Sequence, residues 1–215
     1  MKIAINNVSK NIHGSMVLKN VNMEMNGGAV YGLLGKNGSG KTMLMRAICG
    51  LIQPSEGTIE VNGKIIGKDI SSPPDMGMIL ETPVFLPDRT GFHNLRLIAS
   101  ILKKANDSDI CESLERVGLD PSDCRKVRIY SLGMRQRLGI ACAIMENPSL
   151  LILDEPFNGL DEAGSHLLQQ IICEYRDQGC LIILACHDRS ELESLSDYIF
   201  QVSAGTFSLI QGGED

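Results

Sequence analysis

A chain of 215 residues with 20 Lys and Arg against 26 Asp and Glu carries a net charge of -6. That excludes sequence-independent nucleic-acid binding, which needs a basic face. The length admits one large core with or without a subdomain, and the longest apolar run, Cys180 to Cys186, is too short for a membrane span.

Met1 to Asn7 lacks the apolar stretch of a signal peptide. The seven cysteines, an odd number with no C-x-x-C pair, predict reduced and mostly buried side chains in a cytosolic protein. Residues 1 to 25 alternate weakly and read as strands. Ala29 to Leu34 is an apolar strand candidate, and Met43 to Cys49 is rich in helix formers. Between them, Gly35, Lys36, Asn37, Gly38, Ser39, Gly40, Lys41 and Thr42 fit the pattern G-x-x-x-x-G-K-[ST] at every fixed position. A strand, a glycine-rich turn and a helix N-terminus aim backbone N–H groups and the positive end of a helix dipole at one point, which suits a polyphosphate. Lys41 is then expected to reach the β- and γ-phosphates, and the Thr42 hydroxyl to ligate Mg²⁺.

Further along, Gly57 to Ile66 places Asn62-Gly63 between two β-prone runs, a hairpin signal that predicts an antiparallel sheet beside the nucleotide core. Met76 to Leu80 is a strand that leads to Glu81. From Thr90 to about Val117 the pattern is helical, with Leu95, Ile98, Ala99 and Leu102 along one face and Gly118 stopping a second helix. Ser131 reads as an N-cap and Gly133 as a point of close backbone approach, so this helix start is a second anion-binding device. Leu150 to Leu153 is a buried strand ending in Asp154 and Glu155, with a turn at Pro156. In a phosphoryl-transfer site Asp154 would hold Mg²⁺ and Glu155 would orient and polarise the attacking water. The helix from about Asp161 to Gln178 buries Leu167, Leu168, Ile171, Ile172 and Tyr175 as core. His187 ends the strand Leu181 to Cys186, where ligands bind in open α/β sheets, whereas His13, His93 and His166 read as structural. No repeat or linker divides the chain.

The order of these motifs resembles the nucleotide-binding domains of ABC transporters over nearly the whole chain. Gly35 to Thr42 matches Walker A, Ser131-Leu132-Gly133-Met134-Arg135-Gln136-Arg137 the signature, Asp154-Glu155 Walker B, Asn158-Gly159-Leu160-Asp161 the D-loop, and His187 the H-loop. In the signature, Leu132 and Met134 replace the usual first glycine and glutamine. The resemblance implies an α/β P-loop NTPase with a RecA-like core, an antiparallel β subdomain and an α-helical subdomain, about 82–146, inserted in a single domain of residues 1–215. It implies ATP and Mg²⁺ as ligands, and contact of His187 with the γ-phosphate. It also implies a second nucleotide-binding subunit, identical or not, on whose nucleotide Ser131, Gly133 and Asp161 close. A separately encoded membrane permease would hold the chain peripherally on the cytoplasmic face.

Two departures are informative. Glu81 stands where the family has the Q-loop glutamine, and with Thr82-Pro83 it looks like the E-loop of bacitracin and lantibiotic export or immunity systems. A carboxylate there keeps an oxygen ligand for Mg²⁺ and adds a charge. Where related domains stack adenine on an aromatic ring, this chain offers only Ile12 or His13. Two alternatives remain at this stage: a soluble ATPase of the same type acting as a mechanical or regulatory module, and a P-loop kinase for a small molecule, which would leave the signature and D-loop without a role.

Overall fold

The computed structural model describes residues 1–212. Strands β1 (Lys2–Ile12), β2 (Ser15–Asn26), β4 (Glu56–Val61) and β5 (Lys64–Ile65) form an antiparallel sheet in the order β2-β1-β4-β5. Asn62 and Gly63 both adopt positive φ, 49° and 77°, in the β4–β5 turn, as a tight hairpin requires.

A second sheet runs β10-β9-β3-β8-β7-β6, from β3 (Val30–Leu34), β6 (Met76–Ile79), β7 (Leu150–Asp154), β8 (Leu181–Cys186), β9 (Tyr198–Ser203) and β10 (Thr206–Gln211). All its neighbours pair in parallel except β9 and β10. Every residue of β3, β7 and β8 is buried, because both faces of the sheet are covered. Side-chain alternation therefore feeds two cores. Leu151, Leu153, Ile182 and Leu184 join the helical layer, while Leu150, Ile152, Leu181 and Ile183 join α1 (Lys41–Ile48) and the antiparallel sheet.

The helical layer holds α2 (Gly91–Leu102), α3 (Asp107–Arg116) and α4 (Leu132–Ile144), which lie between β6 and β7 in the chain, with α5 (Glu162–Asp177) and α6 (Arg189–Leu195) following. Thr90, Asn106, Ser131, Asp161 and Asp188 cap the five N-termini with their side chains. Gly118, at φ 72°, lies just past α3.

Three packing expectations change. Of the stripe expected on α2 only Leu95 and Ala99 are buried; Ile98 and Leu102 are exposed, because the stripe is wider than the surface α2 packs on. Leu167 of α5 is half-buried at the edge of the core, beside Gly118, while Leu168, Ile171, Ile172 and Tyr175 are fully inside. Of the cysteines, only Cys49, Cys180 and Cys186 are buried; Cys124 is exposed and the other three are intermediate. Four thiols pack into apolar surroundings deep enough for desolvation to push them up, Cys142 to about 11 and the buried three to about 12.

Candidate phosphate-binding site

The turn Gly35–Gly40 leaves β3 and enters α1 at the carboxyl edge of the parallel sheet. Gly40, at φ 119°, makes the entry possible, and a Cβ there would come within 3.0 Å of the Val17 carbonyl. Alone among the six α-helices of the described residues, α1 has no side-chain cap, and no acid sits in its first turn. Its first N–H groups are thus left for a ligand. They face a cavity of about 520 Å³ that is also lined by Val17, Glu81, Gln136, Asp154 and Glu155.

Lys41 is 5% exposed, and its Nζ donates to the Gly35 carbonyl at 2.5 Å. A buried ammonium needs compensation, and Glu155 supplies part of it through Oε1 at 3.4 Å. That contact is electrostatic, since Oε1 accepts no hydrogen bond among the described residues. The Thr42 hydroxyl donates to Asp154 Oδ2 at 2.5 Å, joining positions 112 residues apart. Burial raises the Asp154 carboxyl above the usual range, the Thr42 hydrogen bond opposes the shift, and the Glu155 charge adds to it. A divalent cation would relieve that strain, and hydroxyl and carboxylate oxygens side by side are a donor set for a hard ion. The open amides, the buried Lys41 and this oxygen pair fit a nucleoside triphosphate with Mg²⁺.

Glu155 follows the end of β7 with φ 49°, a left-handed conformation costly for a residue with a side chain, and its N–H donates to Ala185 of β8 at 2.9 Å. The bend turns it out of line with Asp154. Its Oε2 lies 2.7 Å from His187 Nδ1. That hydrogen bond, and then the Glu155 charge, raise the exposed imidazole above its ordinary value. Glu81 also has left-handed backbone, φ 61°, and pairs with Arg46 of α1 at 2.7 Å.

The structure thus gathers Lys36–Thr42, Asp154, Glu155 and Glu81 around one cavity; Gly35 and His187 do not line it, and His187 joins it only through Glu155. Ser131, Gly133 and Asp161 are elsewhere. Ser131 accepts from Met134 N–H at 3.1 Å, a Cβ on Gly133 would meet the Gly159 carbonyl at 2.7 Å, and Asp161 accepts from Gly164 N–H while pairing with Arg137. Arg137, whose guanidinium is held at both ends by Asp161 and the Val117 carbonyl, ties the D-loop to the start of α4's second turn.

Sequence reasoning missed Arg46, Gln136 and Val17. Gln136, 5% exposed, donates from Nε2 to the Pro156 carbonyl at 2.9 Å and so fastens α4 to the turn after Glu155. Val17, not Ile12 or His13, is the β1–β2 residue that lines the cavity. For Arg46 a signal existed: it stands four residues after Thr42 on a helix, hence on the same face.

A family model described as "ABC transporter" matches residues 18–158. An ABC transporter ATP-binding protein of Bacillus subtilis, YybJ, itself uncharacterized, is 43% identical over 94% of this chain and 93% of its own. The lantibiotic transport ATP-binding protein SrtF of Streptococcus pyogenes is 36% identical over 96% of this chain and 89% of its own. A solved ATP-binding subunit of an ABC transporter superposes with a TM-score of 0.86 at 27% identity, covering 98% of this chain and 90% of that one.

Proposed function

Because this chain belongs to the ABC transporter family of ATP-binding proteins, we propose that its cavity is where the ATP of a transporter is bound and hydrolysed, in the presence of Mg²⁺. The observation that carries the assignment is the Thr42–Asp154 contact beside buried Lys41, which joins the phosphate loop to the acidic end of β7. The amides of Gly38 and residues 40–42 hold the phosphates, while the Ser39 N–H closes the loop on the Lys36 carbonyl at 3.1 Å. Lys41 exchanges the Gly35 carbonyl and Glu155 for phosphate oxygens. Thr42, Asp154 and Glu81 are the oxygen ligands available to Mg²⁺, an ion that neutralises phosphate charge when bound. Relieved of Lys41, Glu155 orients the attacking water, and His187 steadies that carboxylate while its other ring nitrogen is left for the γ-phosphate.

Ser131 and Gly133 at the start of α4, and Asp161 behind it, act on the nucleotide of a second subunit, since these three do not line this chain's own cavity, which touches that helix start only at Leu132. Residues 1–215 work as one nucleotide-binding domain, with about 82–146 as its helical subdomain.

Coupling to transport needs a membrane partner. No helix among the described residues is long and apolar enough to cross a membrane. Val84, Leu86, Ile98, Ile101 and Leu102 leave large apolar side chains exposed on α2 and the segment before it, next to a groove of about 350 Å³ between β6, α2 and α4. This is the surface on which a permease would seat, holding the chain at the cytoplasmic face. A peptide antibiotic of the lantibiotic kind is the cargo class suggested by the name of SrtF. Tagged chain isolated from detergent-extracted membranes should bring down a polytopic membrane protein that stimulates phosphate release. Recovery of the active ATPase alone, under every extraction tried, would favour the soluble mechanical module instead.

A further inference from the structure

Four charged side chains near the phosphate loop pair among themselves. Lys41 takes Glu155, and Arg46 takes Glu81. The second pair is unlike the first. It lies at the rim, with the Arg46 side chain 37% exposed and that of Glu81 62% exposed, and its 2.7 Å contact is a charge-assisted hydrogen bond. Arg46 sits on α1, one turn beyond Thr42, and Glu81 sits just past β6, the strand beside β7 and its Asp154. The pair therefore bridges the helix that carries the phosphate loop and the loop that leads to the exposed apolar surface.

Glu81 needs a partner there for two reasons. Its backbone is left-handed, φ 61°, which a glutamate does not choose unaided. It also adds a third carboxylate to Asp154 and Glu155 around one cavity.

We propose that Arg46 is a positioning residue for Glu81: it holds the carboxylate at the rim while the cavity lacks nucleotide, and competes for it once Glu81 turns toward a divalent cation at Thr42 and Asp154. The second half rests on the metal-binding role proposed above for Glu81; the first half stands without it. The magnitude suits a latch. An exposed ion pair shifts an equilibrium about two- to five-fold, enough to bias the loop and too little to block metal.

Two measurements separate the halves. In nucleotide-free protein, amide hydrogen exchange over residues 78–86 should rise about two- to five-fold in Arg46→Gln and equally in Glu81→Gln, with no further rise in the double variant, and Arg46→Lys should recover most of the protection. Unchanged exchange in Arg46→Gln overturns the latch.

The second uses the Glu155→Gln protein, in which ATP is not turned over, with Mn²⁺ binding read by electron paramagnetic resonance at 0.15 M salt. Arg46→Gln should tighten Mn²⁺ about two- to five-fold, and most of that gain should vanish when Glu81 is already Gln. A gain of the same size in the Glu81→Gln background overturns the competition, because Arg46 would then act on the ion directly. If Glu81→Gln alone leaves Mn²⁺ binding untouched while the exchange result holds, the metal-binding role of Glu81 fails and the latch stands.

Discussion

The helix starts at Lys41 and Leu132 are the same kind of device, left in opposite conditions. At α1 no side chain caps the free N–H groups, a buried lysine stands among them, and a cavity of about 520 Å³ opens in front, which α4 reaches at Leu132 and Gln136. At α4 Ser131 caps its own helix, Gly133 lies against the backbone of Gly159, and the neighbouring Asp161 is occupied by Arg137 and Gly164. On the function proposed above, the first takes a phosphate chain by itself. The second presents an exposed, half-satisfied positive pole that gains only when an anion is brought to it by another molecule. One chain thus holds one complete binding device and one spare, and breaking each should fail differently.

The largest loss is expected at the complete device. Glu155→Gln removes the carboxylate that orients water and keeps its shape, so phosphate release should fall by roughly 10²- to 10⁴-fold. ATP affinity should stay near that of the parent or rise, because Lys41 loses a competing carboxylate. Single-turnover hydrolysis with equilibrium binding of labelled ATP measures both; turnover within a few fold of the parent would remove Glu155 from its role.

At the spare device the informative change is Ser131→Asp. Aspartate caps a helix as well as serine does, so α4 should keep its start while a negative charge appears where a second subunit's phosphate must approach. A change at Gly133 is less clean, since any Cβ there collides with the Gly159 carbonyl at 2.7 Å. Ser131→Asp should bind ATP as the parent does and lose ATP-induced dimerisation by at least about tenfold, as one unfavourable contact of about 1.4 kcal/mol would suffice to do. Analytical ultracentrifugation in the Glu155→Gln background decides it, and a dimer of parental strength would mean that this surface does not face nucleotide.

The contrast between the two devices was half legible in the sequence. Gly35 to Thr42, Asp154-Glu155 and His187 could be read because each is a short contiguous signal at a strand end, and parallel strands put such ends on one edge. Ile98 and Leu102 could not. Helical periodicity identifies an apolar stripe without saying whether this chain or another covers it, and here the chain covers only Leu95 and Ala99. The place of Arg46 on the Thr42 face of α1 was legible, but its pairing with Glu81 was hidden for a different reason, since the two meet only because sheet order sets β6 beside β7, near the foot of α1. The same holds for Gln136, whose bond to Pro156 spans 20 residues and two elements.

A smaller effect should separate the ligand oxygen of Glu81 from its charge. Glu81→Gln keeps one oxygen and loses the charge, so basal hydrolysis should persist with a Mg²⁺ requirement raised about two- to five-fold. Glu81→Ala loses both and should also uncouple hydrolysis from transport. A Mg²⁺ titration of ATPase rate alongside a transport assay shows the split. Indifference of both readouts to Glu81→Ala would move Glu81 out of the site.

The smallest expected effect concerns how the residues of the site hold one another in place. Glu155 raises the His187 imidazole above its ordinary value of about 6.5. A group whose folded value is raised adds stability that is fully present below the unfolded value and is lost as pH climbs through the folded one. Nucleotide-free parent should therefore melt higher than His187→Gln at pH 6, and the gap should close toward pH 9. Because the ring is 60% exposed, solvent screens the pair and the gap should be only about 1–3 °C. In the Glu155→Gln background it should vanish at every pH. A gap that widens as pH rises would show that His187 is held by something other than its charge on Glu155, and the α1 side of the comparison would lose one of its two internal pairs.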